Sequence, residues 1–310
     1  MKQQLQYNNL TWYNIEKPDK KDWEFLEKEL QAPTEMLLEM TESFQQPHIT
    51  EYVTKQGKNL YLHLTIPLFN RAKRTTENGD LYILLNDKSL TTIVFKKNLP
   101  LKSIYHHAEK SERFRRELFG ESSGEFLIRF LIELTSLSFE KIRHINENID
   151  WVKETIFEEN SENNVREISR IKLDILMFRR ILKPHKNIFE TMLQEKFQLL
   201  DNQTCFSLLH QLLRINVRVW NNIESAQEII ESLEVTNNSI VSFRLNSTMR
   251  FLAAVSLITF AMSVTLGVFT LMPPQLFGAA HDWVKFILAI FSLLFILIAS
   301  YNIFRRKGWL

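Results

Sequence analysis

The strongest pattern in the chain is a change near Arg250, where mixed hydrophobic and polar positions give way to almost uninterrupted hydrophobic ones. Residues 251–271 form an uncharged stretch of 21 residues, and residues 284–304 form a second one with a single lysine near its start. About 20 apolar residues in a helix span the hydrocarbon core of a bilayer, and a terminal lysine can reach the interface. The pattern predicts two transmembrane helices, since one soluble core rarely holds two such stretches.

Residues 272–283 are predicted to form a short outer loop between these helices. The segment contains two prolines and a glycine, which break helices, and Trp283, which suits a membrane interface. Positive charge lies at the other ends of the helices, at Arg250 and at residues 305–307. Cytoplasmic flanks of membrane helices carry an excess of Lys and Arg, so both outer ends are predicted to be cytosolic, in the cytoplasmic membrane.

Residues 1–120 contain short stretches of both strand-like and helix-like hydrophobic patterns. Apolar positions alternate at residues 60–64, as in a half-buried strand, and residues 78–80 read Asn-Gly-Asp, a turn signal. Residues 22–31 and 33–44 have apolar positions three and four apart, which predicts helices. We expect a small cytosolic domain of helices and strands.

Residues 121–250 are predicted to form a helical stalk. Neither glycine nor proline occurs between Pro184 and Gly267, so one helix can run from about Asn202 through the first membrane stretch. About 70 residues at 1.5 Å each reach roughly 100 Å, which a lone helix does not sustain without partners. The predicted fold is an α+β cytosolic domain with a long helical stalk and two C-terminal transmembrane helices, in an oligomer.

Composition excludes several classes of function. Residues 1–250 carry 34 basic and 35 acidic side chains, which gives no electrostatic case for binding nucleic acid. The single cysteine, Cys205, excludes an intramolecular disulfide and a thiolate metal cluster, and the N-terminus lacks the apolar core of a signal peptide. No P-loop, HExxH or GxSxG motif occurs, so the sequence supports neither an ATP-driven pump nor a hydrolase. His106 and His107 are expected to be a surface pair, because adjacent helix positions point in different directions.

Three stretches carry a family resemblance. Residues 126–157 contain an I-x-x-x-I-D core, residues 178–193 contain an R-R-x-L-x-P element, and residues 245–260 place an Asn three positions before a Met-Arg pair. Together with the closing FRRKGWL, their order resembles the CorA family of divalent-cation transporters. The resemblance implies a helix-turn element at residues 178–193. The resemblance implies a funnel-shaped homopentamer in which the first membrane helix lines a central pore.

The outer end of the first membrane helix departs from that family. CorA proteins carry Gly-Met-Asn there and the zinc-transporting branch carries Gly-Val-Asn, whereas this chain has Gly267-Val268-Phe269 followed by Thr270-Leu271-Met272. A ring of carboxamide oxygens can bind the water shell of Mg²⁺, which releases its water reluctantly. A hydroxyl ring at Thr270 or a carboxamide ring at Gln275 can take that role, or both can be ordinary loop polarity. The predicted outer selectivity region is Thr270, Leu271, Met272 and Gln275.

A stripe of positions at helical spacing is predicted to face the pore. The resemblance implies apolar constrictions at Met249, Leu252 and Phe260, where narrow rings gate by dewetting. Small and hydroxyl residues also occur where membrane helices pack closely, so helix packing is the alternative interpretation. The predicted pore-lining and gate residues are Asn246, Met249, Leu252, Ala253, Ser256, Phe260, Ser263 and Gly267.

The predicted function is passive passage of divalent cations, Mg²⁺ or another such as Zn²⁺, Co²⁺ or Ni²⁺, by a homo-oligomer in contact with membrane lipid. The resemblance implies such a cation as the transported or regulatory ion, and no other cofactor. The alternative is a membrane-anchored regulatory or scaffold protein that kept the architecture and does not conduct. The missing Gly-Met-Asn favours that alternative.

Overall fold

A computed structural model describes residues 2–41, 46–55, 57–70, 75–96, 99–157, 161–271 and 281–306. The chain divides into two compact units, Met1–Glu234 and Val235–Leu310. Its elements, in chain order, are β1 (Lys2–Tyr7), β2 (Leu10–Glu16), α1 (Lys20–Lys28), α2 (Thr34–Glu39), β3 (His48–Thr54), β4 (Gly57–Asn70), β5 (Thr75–Leu85), β6 (Ser89–Val94), α3 (Leu99–Lys110), α4 (Glu112–Phe119), α5 (Ser123–Ser136), α6 (Ser138–Thr155), α7 (Ser161–Gln194), a 3-10 turn (Gln198–Leu200), α8 (Gln203–Leu271) and α9 (His281–Arg306).

The first unit is built on a six-stranded sheet in the order β1-β2-β6-β5-β4-β3. All neighbouring strands are antiparallel except β2 and β6, which are parallel. Alternation along β4 puts Leu60, Leu62 and Leu64 into one core with helices α3, α4, α5 and α7, while Tyr61 enters a second core with α1 and α2. Helices therefore cover both faces of the sheet, and residues 60–64 are buried on both sides rather than half-buried as the alternation predicted.

The Asn-Gly-Asp prediction is wrong, because residues 78–80 lie inside β5 rather than in a turn. Gly79 is opposite Ile66 of β4, and a Cβ there would collide with the side chain of Leu68. The glycine thus admits a leucine from the neighbouring strand. The turn between β5 and β6 lies at Asn86, whose Oδ1 accepts hydrogen bonds from Lys88 N at 2.9 Å and Ser89 N at 2.7 Å.

A further apolar core joins α6, α7 and the N-terminal part of α8. The turn predicted at Pro184 is not formed, since α7 runs from Ser161 to Gln194 through that proline. Leu182 and Ile188 are buried on either side of it and hold both halves of the helix in place. A proline removes one helix hydrogen bond, and packing of both flanks offsets that loss.

The second unit contains two described helical segments, the C-terminal part of α8 and all of α9. The long helix predicted from about Asn202 is confirmed, because α8 has 69 residues, from Gln203 to Leu271. α9 begins at His281, a few residues before the second apolar stretch.

Candidate functional site

Both helices of the second unit are long and apolar enough to cross a membrane. A helix in a soluble core would also be apolar, but its side chains would be buried. In the most apolar window of α8 only 6% of residues are buried, and in that of α9 none are. Such exposed apolar surface fits lipid or further protein chains rather than water.

The two helices each have one sheltered face. On α8 it consists of Ala254, Ile258, Ala261, Met262, Thr265 and Phe269, and on α9 of Ala289, Ser292, Leu293, Ile296, Ala299, Ser300 and Phe304. On each helix these positions recur three or four apart, which is the spacing of one helix face. Each face contains two alanines, and the face of α9 also contains two serines, as expected where membrane helices approach closely.

The predicted pore-lining stripe lies on the other side of α8. At about 100° per residue, its positions centre about 180° from the face that contains Ala254. Every predicted residue from Asn246 to Gly267 is exposed in the single chain. A Cβ added at Gly267 meets no atom within 4 Å among the described residues. The small residues of the stripe are therefore not used for packing within the hairpin.

Hydroxyl groups concentrate on this exposed side. Thr259 donates to Val255 O at 2.9 Å, Ser263 donates to Thr259 O at 2.9 Å and Thr270 donates to Leu266 O at 2.8 Å. Each hydroxyl proton is thus occupied within the helix, as a membrane interior requires. The lone pairs of the oxygens are left to accept hydrogen bonds. A hydrated cation presents water protons outward, so such acceptors suit its water shell.

The three predicted constriction residues are strongly exposed. Met249 is 59%, Leu252 53% and Phe260 67% exposed. Large apolar side chains at these positions can form narrow rings only when several copies of the helix surround one axis. One chain has the three side chains on one exposed face of α8, and several chains around an axis would form the rings.

The outer selectivity region is described only in part. Thr270 is exposed at the penultimate position of α8, and Leu271 is 85% exposed at its end. Met272 and Gln275 lie outside the described residues. Of the two oxygens proposed to replace the family's asparagine, the hydroxyl of Thr270 is therefore the one with a known position.

The first unit contains a buried polar network that the sequence did not reveal. Asp174 of α7 accepts hydrogen bonds from Thr76 N at 2.7 Å and Thr76 Oγ1 at 2.6 Å, and its other oxygen is 2.6 Å from Lys141 Nζ. It lines a cavity of about 720 Å³ between the sheet and α5, α6 and α7. These residues are up to 98 positions apart, so no local motif marks them. The network fixes α7 to β5.

The adjacent histidines are a surface pair, as predicted. His106 lies 3.4 Å from Glu109 with 60% of its side chain exposed, and the ring of His107 stacks on Phe114 with centroids 3.9 Å apart. They do not converge on one point.

Comparison with known proteins places this geometry in context. A family model described as CorA-like Mg²⁺ transporter protein matches residues 7–306. No curated protein sequence matches the chain. The complete structure of the CorA magnesium transporter from Methanocaldococcus jannaschii is similar with a TM-score of 0.79 and 16% identity, covering 99% of this chain and 94% of that one.

Two further solved structures share the architecture. Full-length CmaX protein is similar with a TM-score of 0.70 and 15% identity, covering 97% of this chain and 89% of its own. The cytoplasmic domain of ZntB from Vibrio parahaemolyticus RIMD 2210633 is similar with a TM-score of 0.58 and 12% identity, covering 77% of this chain and 90% of its own. At these identities the likeness is one of fold.

Proposed function

The chain belongs to the CorA-like Mg²⁺ transporter family, and we propose that it conducts divalent cations passively across the cytoplasmic membrane as a homopentamer. The cation is Mg²⁺ or another divalent ion such as Zn²⁺, Co²⁺ or Ni²⁺. Family membership supports transport rather than catalysis, and the helix pair long and apolar enough to span supports a membrane location.

The single observation that carries the proposal is the exposed stripe of α8. It bears hydroxyl oxygens at Ser256, Ser263 and Thr270, on the side of α8 opposite the sheltered face that contains Ala254. In a lone hairpin these polar groups would face lipid, whereas around a shared axis they would line a path for ions. The polar groups of the stripe would therefore contact ions in an oligomer and only lipid in a monomer.

Charge supports the orientation. Arg250 lies just before the first apolar stretch of α8, and Arg305 and Arg306 end α9. By the positive-inside rule these ends belong in the cytoplasm, and the opposite ends of the two helices belong outside.

Selection of the ion is proposed to rest on Thr270. Its hydroxyl proton is donated to Leu266 O, so a ring of Thr270 side chains offers acceptor oxygens to a hydrated cation. A hydroxyl is shorter than the carboxamide that the family carries at its outer mouth. We therefore expect a different preference among divalent cations from that of a Gly-Met-Asn channel.

Ion flux into liposomes tests the proposal directly. The purified protein is reconstituted, and uptake of Mg²⁺, Zn²⁺, Co²⁺ and Ni²⁺ is measured separately. We expect flux of at least one of them, driven only by its gradient. Absence of flux for all four cations from folded oligomers would instead support the non-conducting scaffold.

A matched pair of variants locates the path. Phe260 on the stripe and Phe291 on α9 are each 67% exposed. Phe260→Ala should raise flux, because it widens an apolar constriction, whereas Phe291→Ala should leave flux unchanged because it faces away from the proposed path. Equal effects of the two substitutions would contradict the assignment of the stripe.

A second set of substitutions tests the outer region. The triple change Thr270→Gly, Leu271→Met and Met272→Asn restores the family sequence. If ion choice depends on this region, the variant gains Mg²⁺ uptake relative to the other cations.

A further inference from the structure

Three potential metal ligands converge in the first unit, on the sheet face that packs against α1 and α2. Glu39 ends α2, His48 begins β3 and His63 lies in β4 directly opposite His48. One ligand atom from each lies within 4.8 Å of the other two. Ligand atoms around one Zn²⁺, each about 2.0–2.2 Å from it, lie about 3.3–3.6 Å apart. Small side-chain movements would bring the three to that spacing.

His48 is held in the form that binds metals. Its Nδ1 lies 3.0 Å from the carbonyl oxygen of Gln46, which fixes the ring proton on Nδ1. Its Nε2 therefore carries a lone pair, and this atom lies 3.4 Å from Glu39 Oε1. Two electron-pair donors face one another at this distance. A shared cation would bond to both atoms and remove the repulsion between their lone pairs.

His63 brings a second imidazole with an unused nitrogen. The side chain is 1% exposed, and its Nε2 lies 3.3 Å from Asp80 Oδ1. A carboxylate oxygen accepts hydrogen bonds, so at this distance Nε2 carries the ring proton and donates it to Asp80. His63 Nδ1 then carries a lone pair, is buried and has no hydrogen-bond partner among the described residues. A buried acceptor without a partner is costly, and a metal bond would remove that cost.

The surroundings hold these groups in place. The ring of His63 stacks on Tyr82, with centroids 4.6 Å apart, and meets the ring of His48 edge-on. Tyr61 donates to Glu39 Oε1 at 3.4 Å. The side chain of Glu39 is 18% exposed and that of His48 is 38% exposed, which leaves access from solvent.

We propose that Glu39, His48 and His63 bind a divalent transition-metal cation such as Zn²⁺, with Asp80 orienting His63 through its Nε2–H. Two imidazoles and a carboxylate are the donor set of zinc and its neighbours in the first transition row, whereas Mg²⁺ takes oxygen ligands. The Asp80–His63 pair matches the carboxylate–histidine–metal arrangement that fixes a ligand's orientation. The site lies in the first unit and does not depend on conduction through the membrane helices.

Equilibrium dialysis of the full-length protein in detergent at pH 7.5, with Zn²⁺ as the probe, tests the site. Metal bound per chain is quantified for the wild type and for His48→Gln and Glu39→Gln. Both positions are partly exposed, so the variants should fold, which circular dichroism checks. We expect each to lose one Zn²⁺ per chain. Asp80→Asn should retain the site but weaken it by about 10–100-fold.

His144 and Glu147 provide a matched control. They form an exposed histidine–glutamate pair at 3.0 Å, with side chains 61% and 56% exposed and without a second histidine. His144→Gln and Glu147→Gln should bind as much Zn²⁺ as the wild type. If His48→Gln also binds as much as the wild type, the proposal is overturned.

Cobalt supplies an independent signal. Co²⁺ bound by nitrogen and oxygen ligands in tetrahedral geometry absorbs strongly in the visible range, and the wild type should show this band. His48→Gln should not show it. A band of equal strength in both proteins would assign the metal elsewhere. The flux assay is a separate measurement, so a failure of conduction and a failure of this site are distinguishable.

Discussion

Asp174 offers the sharpest test of how the first unit is held together. Its carboxylate is buried, with 7% of the side chain exposed, and it accepts two hydrogen bonds from Thr76 while pairing with Lys141. Thr76 is itself 4% exposed, so water does not readily replace the lost acceptor. Breaking a buried ion pair by removing one partner costs about 3–5 kcal/mol. We expect Asp174→Ala to destabilise the junction of α7 and β5 by about that amount.

Hydrogen exchange measured by mass spectrometry on the full-length protein in detergent reports this effect locally. Each 1.4 kcal/mol is a factor of ten, so the opening equilibrium of β5 and α7 should rise by about two to three and a half powers of ten. Asp174→Asn should have a smaller effect, because its Oδ1 can still accept both bonds from Thr76. Protection of α1 and α2, which pack on the other face of the sheet, should change less.

Asp150 is the matched control. It lies on α6, pairs with Lys153 at 2.8 Å and is 63% exposed. Because solvent screens such a pair, Asp150→Ala should alter exchange less than about fivefold. If Asp174→Ala and Asp150→Ala change the protection of β5 equally, burial is not the source of the stability and the reasoning fails.

Two further predictions concern stability. Burial lowers the pKa of His185 to about 4, so the folded protein keeps it neutral while the unfolded chain takes up a proton below about pH 6.5. The contribution of the neutral side chain to the free energy of unfolding is therefore complete above pH 6.5 and is lost as the pH falls toward 4. In thermal unfolding, His185→Phe should lose less stability than the wild type over this pH range, by up to about 3 kcal/mol. Gly124→Ala places a Cβ against Leu199 O and should destabilise by about 1–3 kcal/mol in the same assay. Gly267→Ala, where a Cβ meets no described atom, is its control and should not lower the unfolding temperature.

Local periodicity was sufficient to predict the helices and much of the sheet. The absence of glycine and proline before Gly267 predicted α8, and the alternation at residues 60–64 predicted β4, because both signals arise from neighbours in the chain. The turn signal at residues 78–80 failed since the glycine there makes room for Leu68, which lies on another strand. The sequence shows that a glycine leaves space for another group, but it does not show which neighbouring side chain fills that space.

Sites built across elements were beyond such reasoning. Glu39, His48 and His63 are separated by 9 and 15 positions, with no metal-binding spacing. The register of β3 with β4 places the two histidines opposite one another, and the packing of α2 on the sheet brings Glu39 beside them. The sequence instead drew attention to His106 and His107, which are adjacent in the chain and lie on the surface. A correct prediction of the register of β3 with β4 would have brought the two histidines together.

The hydroxyls of α8 that donate to their own helix have one more consequence. An anion carries water with its oxygen atoms outward, so it would meet lone pairs along the proposed path, whereas a cation would meet partners. The path would then discriminate by the sign of charge without any charged residue. Hydroxyl groups do not titrate near neutral pH, so this discrimination would be the same in acidic and in neutral surroundings.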